Sequence, residues 1–328
     1  MAQARTTTMR TYGTDELRLL AKIARMYHER GIRQPQIAAD LHISQSRVSR
    51  LLRQASEMGI VRTTVTLPGG VYTDVEEDLE ARYNLLDSVI VDADGASGDV
   101  QPALGAAAAT YLSETLTGGD VVGISSWSSS LIATVDAMRP RSGPVASVVT
   151  QLFGGIGDPQ AQVSATRLLD RFSNLTGARP VFLPTPGLVE DAAVRRALLE
   201  DPAVNGVLQT WKELSLALLG IGSLQPSPLL RRSGNALDPS QREELSRLGA
   251  VGDVCLRFFD QDGNLINSLF NDRVMGISPE QLKAVPRRIG VAGGTEKQAA
   301  IAAALKGGWV NTLITDLETA RHLLEEQL

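Results

Sequence analysis

Two short runs place polar side chains where they could hold a small molecule. The stretch GISSWSSSL, Gly123 to Leu131, puts five hydroxyls and one indole into six consecutive positions, directly after the strand-like Asp120-Val121-Val122. The stretch Gly293-Gly294-Thr295-Glu296-Lys297 joins two glycines to a hydroxyl, a carboxylate and an ammonium. Glycines let backbone approach a ligand, and hydroxyls and free helix N–H groups favour anions. A lysine in the first turn of a helix opposes the helix dipole, so Lys297 points to an anion nearby, while Thr295 can cap that helix. Serine catalysis is not indicated: a nucleophile elbow reads G-x-S-x-G, but Trp127 stands where the second glycine belongs, and no histidine is assigned as a base. Neither run matches G-x-x-x-x-G-K-[ST] or G-x-G-x-x-G, so nucleotide binding is not indicated either.

These runs need a scaffold, and the sequence past residue 86 supplies an alternating one. Short β-branched runs predict strands at Ser88 to Val91, Asp120 to Ile124, Val145 to Leu152, Pro180 to Leu183, Leu216 to Ile221, Arg288 to Ala292 and Asn311 to Thr315. Helices are predicted at Gln101 to Leu116, Ser129 to Met138, Gln162 to Thr176, Asp191 to Leu199, Glu296 to Leu305 and Leu317 to Glu326. This alternation implies an α/β domain with a mostly parallel sheet, whose ligands bind outside the C-terminal strand ends. Four loops fall there: the serine run, Phe153-Gly154-Gly155-Ile156-Gly157, Gly222-Ser223 and the Gly293 run. One segment breaks the alternation: VCLRFFDQDGNLINSLF predicts an antiparallel hairpin turning at Asp262-Gly263.

Composition separates a head from this body. The first 62 residues hold eleven Lys+Arg and five Asp+Glu, a balance of +6; the whole chain carries -5, which leaves -11 on the rest. A basic head on an acidic body points to a polyanion partner for the head alone. The stretch Thr14 to Gly31 predicts an amphipathic helix with Leu17, Leu20, Ala21, Ala24 and Tyr27 on one face, capped by Thr14. Ile37, Ala38 and Leu41 then mark a short helix, and Ser44 caps a second one that buries Val48, Leu51, Leu52 and Ala55. Only His42 and Ile43 lie between them, a turn tight enough for a helix-turn-helix, with His42 where glycine is usual. At 100° per residue the outward face carries Ser46, Ser49, Arg50 and Arg53, with Gln45 and Arg47 on its flanks. Gln45, Ser46 and Arg50 are assigned to base edges; Ser44, Arg47, Ser49 and Arg53 are assigned mostly to phosphates. The all-α head is expected over residues 1–68, a linker helix opened by a Thr73-Asp74-Val75-Glu76 capping box over 69–84, and the α/β body over 85–328.

Cys255 is the only cysteine, which excludes an internal disulfide, suits a reducing cytoplasm and reads as a small core residue. The N-terminus lacks an apolar signal core, and no run approaches the ~20 apolar residues of a membrane span. His28 and His42 have no cysteine beside them, so no metal site is indicated, and no cofactor is expected.

Together these motifs resemble the SorC-type bacterial transcriptional regulators, in the family's order from about Glu16 to Leu324. The resemblance rests on QIAADLHISQSRVSRLL, GDVVGIS, VTQLFGGIG, LLGIGSL, GAVGDVCLRFFDQDGNLI and GVAGGTEKQAAIAAALKGGWVNTLITDLETARHLL. It implies a helix-turn-helix joined to a body akin to the sugar-phosphate isomerase and glucosamine-phosphate deaminase folds, a sugar phosphate or related polyol as effector, and a homotetramer on operator DNA. Carried over by position, Ser125, Ser126, Ser128, Ser129 and Ser130 cradle the effector's phosphate, Gly154 and Gly155 line the next loop, and Asp260 and Lys297 face the sugar. The sequence departs at Trp127-Ser128-Ser129-Ser130, where many members have Trp-Gly-Arg-Thr or Gly-Gly-Thr-Thr. Without that arginine, hydroxyls and backbone N–H groups hold the anion, Arg167 supplies the charge, or the effector is an unphosphorylated polyol.

Three functions compete at this point. The leading one is a regulator whose head binds DNA and whose body binds a sugar-type effector. The second is an isomerase-like enzyme with Asp260 or Asp262 as base and Lys297 as stabiliser. The DNA-binding head argues against it, and no catalytic residue is assigned. The third is a body that only assembles the head.

Overall fold

The computed structural model describes residues 14–61, 70–93, 99–141, 143–155, 159–225, 231 and 237–326, with the backbone alone over 159–165. The chain divides into two compact units, Met1–Leu67 and Pro68–Leu328. The stretch IVRTTVTLPGG after Gly59, whose sequence reads as a short β-ribbon ending in a Pro-Gly-Gly break, falls largely outside the described residues.

The first unit packs α1 (Thr14–Ala24), α2 (Gln34–Asp40) and α3 (Gln45–Glu57) around Leu20, Ile23, Ile37, Val48, Leu51, Leu52 and Ala55. The face predicted for α3 is the one it buries. On α1 the face is different: Leu17 and Tyr27 are exposed, while Ile23 and Met26 join the core. The helix runs on into a π turn, Arg25–Glu29, whose wider ring changes the phase of the stripe, so that Met26 replaces Tyr27. Between α2 and α3, His42 takes the left-handed conformation at φ 51°, a cost of about 1–2 kcal/mol that glycine would avoid. Ser44 then caps α3, accepting from Arg47 N at 3.3 Å.

The second unit opens with α4 (Thr73–Tyr83), which stops at Asn84 in the left-handed region. The predicted capping box does not form: Tyr72 occupies the cap position with no side-chain cap bond, and the Glu76 carboxylate turns to the sheet instead. It accepts from Ile90 N at 2.9 Å, and Glu80 accepts from Ser88 N at 2.9 Å, so two carboxylates occupy the open side of the edge strand β1 (Asp87–Val91).

The main sheet continues through α5 (Gln101–Thr115), β2 (Asp120–Ile124), α6 (Ser129–Ala137), β3 (Ala146–Gln151), α7 (Pro159–Thr176) and β4 (Arg179–Val181). After α8 (Ala192–Glu200) and α9 (Pro202–Trp211) comes β5 (Leu216–Leu219). A small antiparallel sheet follows, made of β6 (Gly222–Ser223), β7 (Gly252–Val254) and β8 (Arg257–Phe259), with α10 (Pro239–Arg247) before β7. The chain closes through α11 (Pro279–Ala284), β9 (Arg287–Val291), α12 (Gln298–Lys306), β10 (Thr312–Asp316) and α13 (Leu317–Glu325).

Among the described residues the main sheet has seven strands in the order β1-β10-β9-β5-β2-β3-β4, and every pairing is parallel. Its strands are fully apolar where helices cover both faces, as in Leu216-Ala217-Leu218-Leu219. Three short helices lie outside the predicted set: α9, α10 and α11. Each begins with proline in its first turn after a capping Asp201, Asp238 or Ser278.

The expected antiparallel turn at Asp262-Gly263 forms, with Phe259 bridging Leu265 and Ile266 N donating to Phe258 O at 2.9 Å. An unexpected turn precedes it at Cys255-Leu256, whose φ values of 53° and 61° join β7 to β8 in two residues. Cys255 and Leu256 are both buried non-glycine residues in a conformation that favours glycine. Asp262-Gly263 turns the chain a second time, after β8.

Gly154 shows how closely the loop after β3 is packed. A Cβ there would overlap the carbonyl oxygens of Thr185 and Pro186, and Gly154 N donates to Met275 O at 2.8 Å. Gly154→Ala is therefore expected to destabilise the body by about 2–3 kcal/mol in denaturant titration; a loss below about 0.5 kcal/mol would show slack in this loop.

Candidate functional site

The strand order creates one place where the chain diverges. From β2 it moves outward to β3 and β4; from β5, the neighbour of β2, it moves the opposite way to β9 and β10. Loops leaving adjacent strands in opposite directions open a crevice at their C-terminal ends. Ser125 follows β2 and Gly220 follows β5, and the two loops are tied together: Gly220 N donates to Ser125 Oγ at 3.0 Å, and Ser125 N donates to Leu218 O at 3.0 Å. A side chain at Gly220 would overlap Ser128, so only glycine keeps the crevice open.

The crevice is a cleft of about 500 Å³. Ser125, Trp127, Ser128 and Ser129 form one wall, with Asp99 and Gln101 beside them. Gly220 to Ser223, Asp253, Cys255 and Leu256 form another, and Glu296, Lys297, Phe153, Gln225 and Arg231 complete the lining. All four loops predicted to meet at the strand ends therefore line it, the second through Phe153, while Ile156 and Gly157 lie outside the described residues.

The serine run is less uniform than its composition suggests. Ser125 is buried and accepts from Gly220 N. Ser128 caps α6, accepting from Leu131 N at 3.4 Å. Ser129 and Ser130 both donate to Gln101 Oε1, at 3.4 and 2.8 Å, and Ser130 is fully buried behind the wall. Ser126 is fully buried too, and its hydroxyl, like the Trp127 indole N–H, has no hydrogen-bond partner among the described residues. The glycines act from behind: Gly155 lies flat against the Trp127 ring, and Gly154 is pressed under Thr185 and Pro186.

Lys297 and Arg231, with Asp99, Asp253 and Glu296, bring charge to the cleft. Lys297 is the cap residue of α12, which begins two residues later than expected, and Thr295 makes no side-chain cap; it lies in a single 3-10 turn, Thr295–Lys297. Gly294, at φ 94°, is held by Asp316 Oδ2 at 2.8 Å. Desolvation lowers the Lys297 ammonium from its ordinary value, against the opposing pull of Glu296 and Asp253. Asp253 is buried, and burial pushes its carboxyl up to about 6, against the Leu256 N–H bond and the nearby Lys297. The Cys255 thiol is pushed up by burial, with the Asp253 charge adding to it, so it lines the cleft as a closed thiol rather than a nucleophile.

Two carried-over positions are not brought to the cleft. Asp260 spends its carboxylate on its own turn, accepting from Asp262 N at 3.0 Å and Asn264 N at 2.9 Å. Arg167 lies on α7, exposed, and does not supply the missing charge. Gln101, Asp253 and Arg231 line the cleft without having been singled out. Gln101 opens a helix whose start is visible in sequence, yet its reach to Ser129 and Ser130 is not.

In the first unit, Ser44, Gln45, Ser46, Arg47, Ser49, Arg50 and Arg53 are all exposed on α3 or at its cap. Among the described residues, none of the three arginines pairs with a carboxylate. No described helix is long and apolar enough to cross a membrane, and no group of three His, Cys, Asp or Glu among the described residues could hold a metal ion.

A regulatory head on a sugar-binding α/β body is the class these features define, and comparison with known proteins agrees. The Sugar-bind family model, a sugar-binding domain, matches residues 71–325. The deoxyribonucleoside regulator of Bacillus subtilis is 33% identical over 317 residues, 95% of this chain and 99% of that one. The transcriptional regulator LsrR of Escherichia coli K12 is 32% identical over 318 residues, 95% and 96% of the two chains. The full-length sorbitol operon regulator SorC of Klebsiella pneumoniae superimposes with a TM-score of 0.72 at 26% identity, covering 95% of this chain and 100% of that one. The chain belongs to the SorC-type family of sugar-binding transcriptional regulators. It is a DNA-binding regulator controlled by a sugar-type effector; the relatives are regulators and not enzymes.

The buried carboxylate makes a direct prediction. Asp253 holds its proton more tightly folded, at about 6, than at the ordinary 3.8. Its contribution is thus most favourable below about pH 4, falls as pH climbs to about 6, and is flat above that. Asn can still accept from Leu256 N, so Asp253→Asn is expected to raise the melting temperature of the ligand-free protein at pH 7.5 and to flatten its fall between pH 4 and 6. Identical pH profiles for the two proteins would contradict the burial of this charge.

Proposed function

We propose that the effector occupies the cleft between the β2 and β5 loops, with Ser125, Ser128, Ser129 and Lys297 as its direct polar contacts. Ser126, Ser130, Gly154 and Gly155 act behind this wall, shaping it. The observation that carries this reading is the convergence, at the divergence point of the sheet, of hydroxyls, the open N-terminus of α6 and one ammonium in a single cleft of about 500 Å³. Asp253, opposite, suits a hydroxyl of the same ligand, because a buried carboxylate with one oxygen on Leu256 N has the other to offer. The ligand class that fits is a sugar phosphate or a related polyol, in keeping with relatives whose names refer to deoxyribonucleosides and to sorbitol.

On the DNA side, α3 is the recognition helix. Gln45, Ser46 and Arg50 contact base edges, and Ser44, Arg47, Ser49 and Arg53 contact phosphates. The regulator acts in the cytoplasm as a homotetramer on operator DNA, and the effector shifts the assembly between states of different DNA affinity.

A thermal-shift screen of sugars, polyols and their phosphates is expected to yield at least one compound that raises the melting temperature of the wild type. Lys297→Ala should abolish that rise while operator binding in the absence of the compound is unchanged; a full rise in the variant would put the effector elsewhere. Arg50→Ala should weaken operator binding by about tenfold or more, a base contact being worth ~1–3 kcal/mol, and random DNA far less. Equal losses on both DNAs would move Arg50 to the phosphates.

A further inference from the structure

The hydrogen-bond directions inside the serine run differ from residue to residue. A serine hydroxyl has one proton and two lone pairs, so what it offers a ligand depends on what it has already given to the protein. Ser125 and Ser128 are used by the protein only as acceptors, from Gly220 N and Leu131 N, which leaves both protons available. Ser129 and Ser130 are used as donors, both to Gln101 Oε1. Gln101 is itself fixed, as the first residue of α5, with its N–H on Asp99 Oδ1 at 3.0 Å. It lines the cleft beside Ser129.

We propose that Gln101 is a specificity-determining residue that divides the serine run into a donor half and an acceptor half. By taking the proton of Ser129 it leaves Ser125 and Ser128 as the serines lining the cleft that can donate to an acceptor-only anionic oxygen, beside the cations Lys297 and Arg231, and turns Ser129 toward a ligand hydroxyl. The loop therefore does hold an anionic group without the arginine, but with two of its serines and not with all five. An effector carrying both a phosphate-like group and a free hydroxyl a few ångströms from it satisfies both halves. A phosphate centred on Ser129 would face lone pairs and be repelled. This inference rests on the cleft being the effector site, and its test is built so that the two can fail separately.

The test uses inorganic phosphate as probe, with the full-length protein and its variants titrated by calorimetry and by thermal shift. The wild type is expected to bind phosphate and melt higher in its presence. Lys297→Met combined with Arg231→Met should lose this response; if the double variant keeps it, phosphate binds outside the cleft and the site reading itself is wrong. Ser128→Ala should weaken phosphate about tenfold, as loss of a hydrogen bond to a charged group does, whatever its effect on basal stability. Ser129→Ala should leave phosphate affinity within about twofold, since the side chain gives no proton. Gln101→Leu frees the Ser129 proton, so its phosphate affinity should match or exceed that of the wild type, and any excess should vanish in Gln101→Leu/Ser129→Ala. Three results would overturn the inference: no phosphate response in the wild type, Ser129→Ala losing as much as Ser128→Ala, or Gln101→Leu binding phosphate more weakly. The second would mean that the Gln101 amide donates to the serines and leaves both protons for the ligand.

Discussion

The hydrogen bond from Gly220 N to Ser125 Oγ joins the two loops that leave the sheet in opposite directions, and the rest of the site is built around it. Parallel strands must be joined by crossovers, and a sheet that grows outward on both sides from β2 and β5 leaves their C-terminal ends uncovered between diverging connections. The bond closes the floor of that gap. Ser125 can make it because it comes one residue after β2, and Gly220 can approach because it has no side chain to strike Ser128. From this floor rise α6, which Ser128 caps, and the small sheet of β6 to β8, which carries Asp253 over the opening.

The walls are held in conformations that folding alone would not favour. Cys255 and Leu256 both occupy the left-handed region, Asp253 is ionised at neutral pH despite burial, Lys297 is desolvated, and Ser126 and the Trp127 indole lack partners among the described residues. Each is a cost that a close-packed core normally avoids. Cys255, Leu256, Asp253, Lys297 and Trp127 line the cleft, which fits a site preorganised for a polar ligand. The buried Arg257 shows the contrast: it is also desolvated, but its guanidinium donates to the carbonyls of Ile277, Asn271 and Gly276, and it holds the hairpin to the following segment.

Much of this arrangement is legible in the sequence because the strands of the parallel sheet are buried on both faces and read as β-branched and aliphatic runs. The helix α3 is legible for a similar reason, since a cap and four apolar residues at helical spacing specify its face. The missed helices α9, α10 and α11 carry a local signal, an Asp or Ser cap followed by proline, that hydrophobic periodicity does not register. The turn at Cys255-Leu256 is hidden because these residues are poor turn formers, whereas Asp262-Gly263 advertises the turn that does form after β8. Asp260 looks like a ligand contact until its carboxylate is seen to close its own turn. Gln101, Asp253 and Arg231 reach the cleft from distant parts of the chain, and local spacing carries no record of that convergence.

On the proposed reading, the cleft and α3 must be thermodynamically coupled. Linkage requires the effect to be reciprocal: a compound that changes DNA affinity by some factor must have its own affinity changed by the same factor when DNA is bound. The most direct measurement is therefore the affinity of a cleft-binding sugar or sugar phosphate for the protein, by calorimetry, free and saturated with operator DNA. The account predicts two different affinities, whose ratio equals the change in operator affinity caused by the compound. Equal affinities in the two states would contradict it.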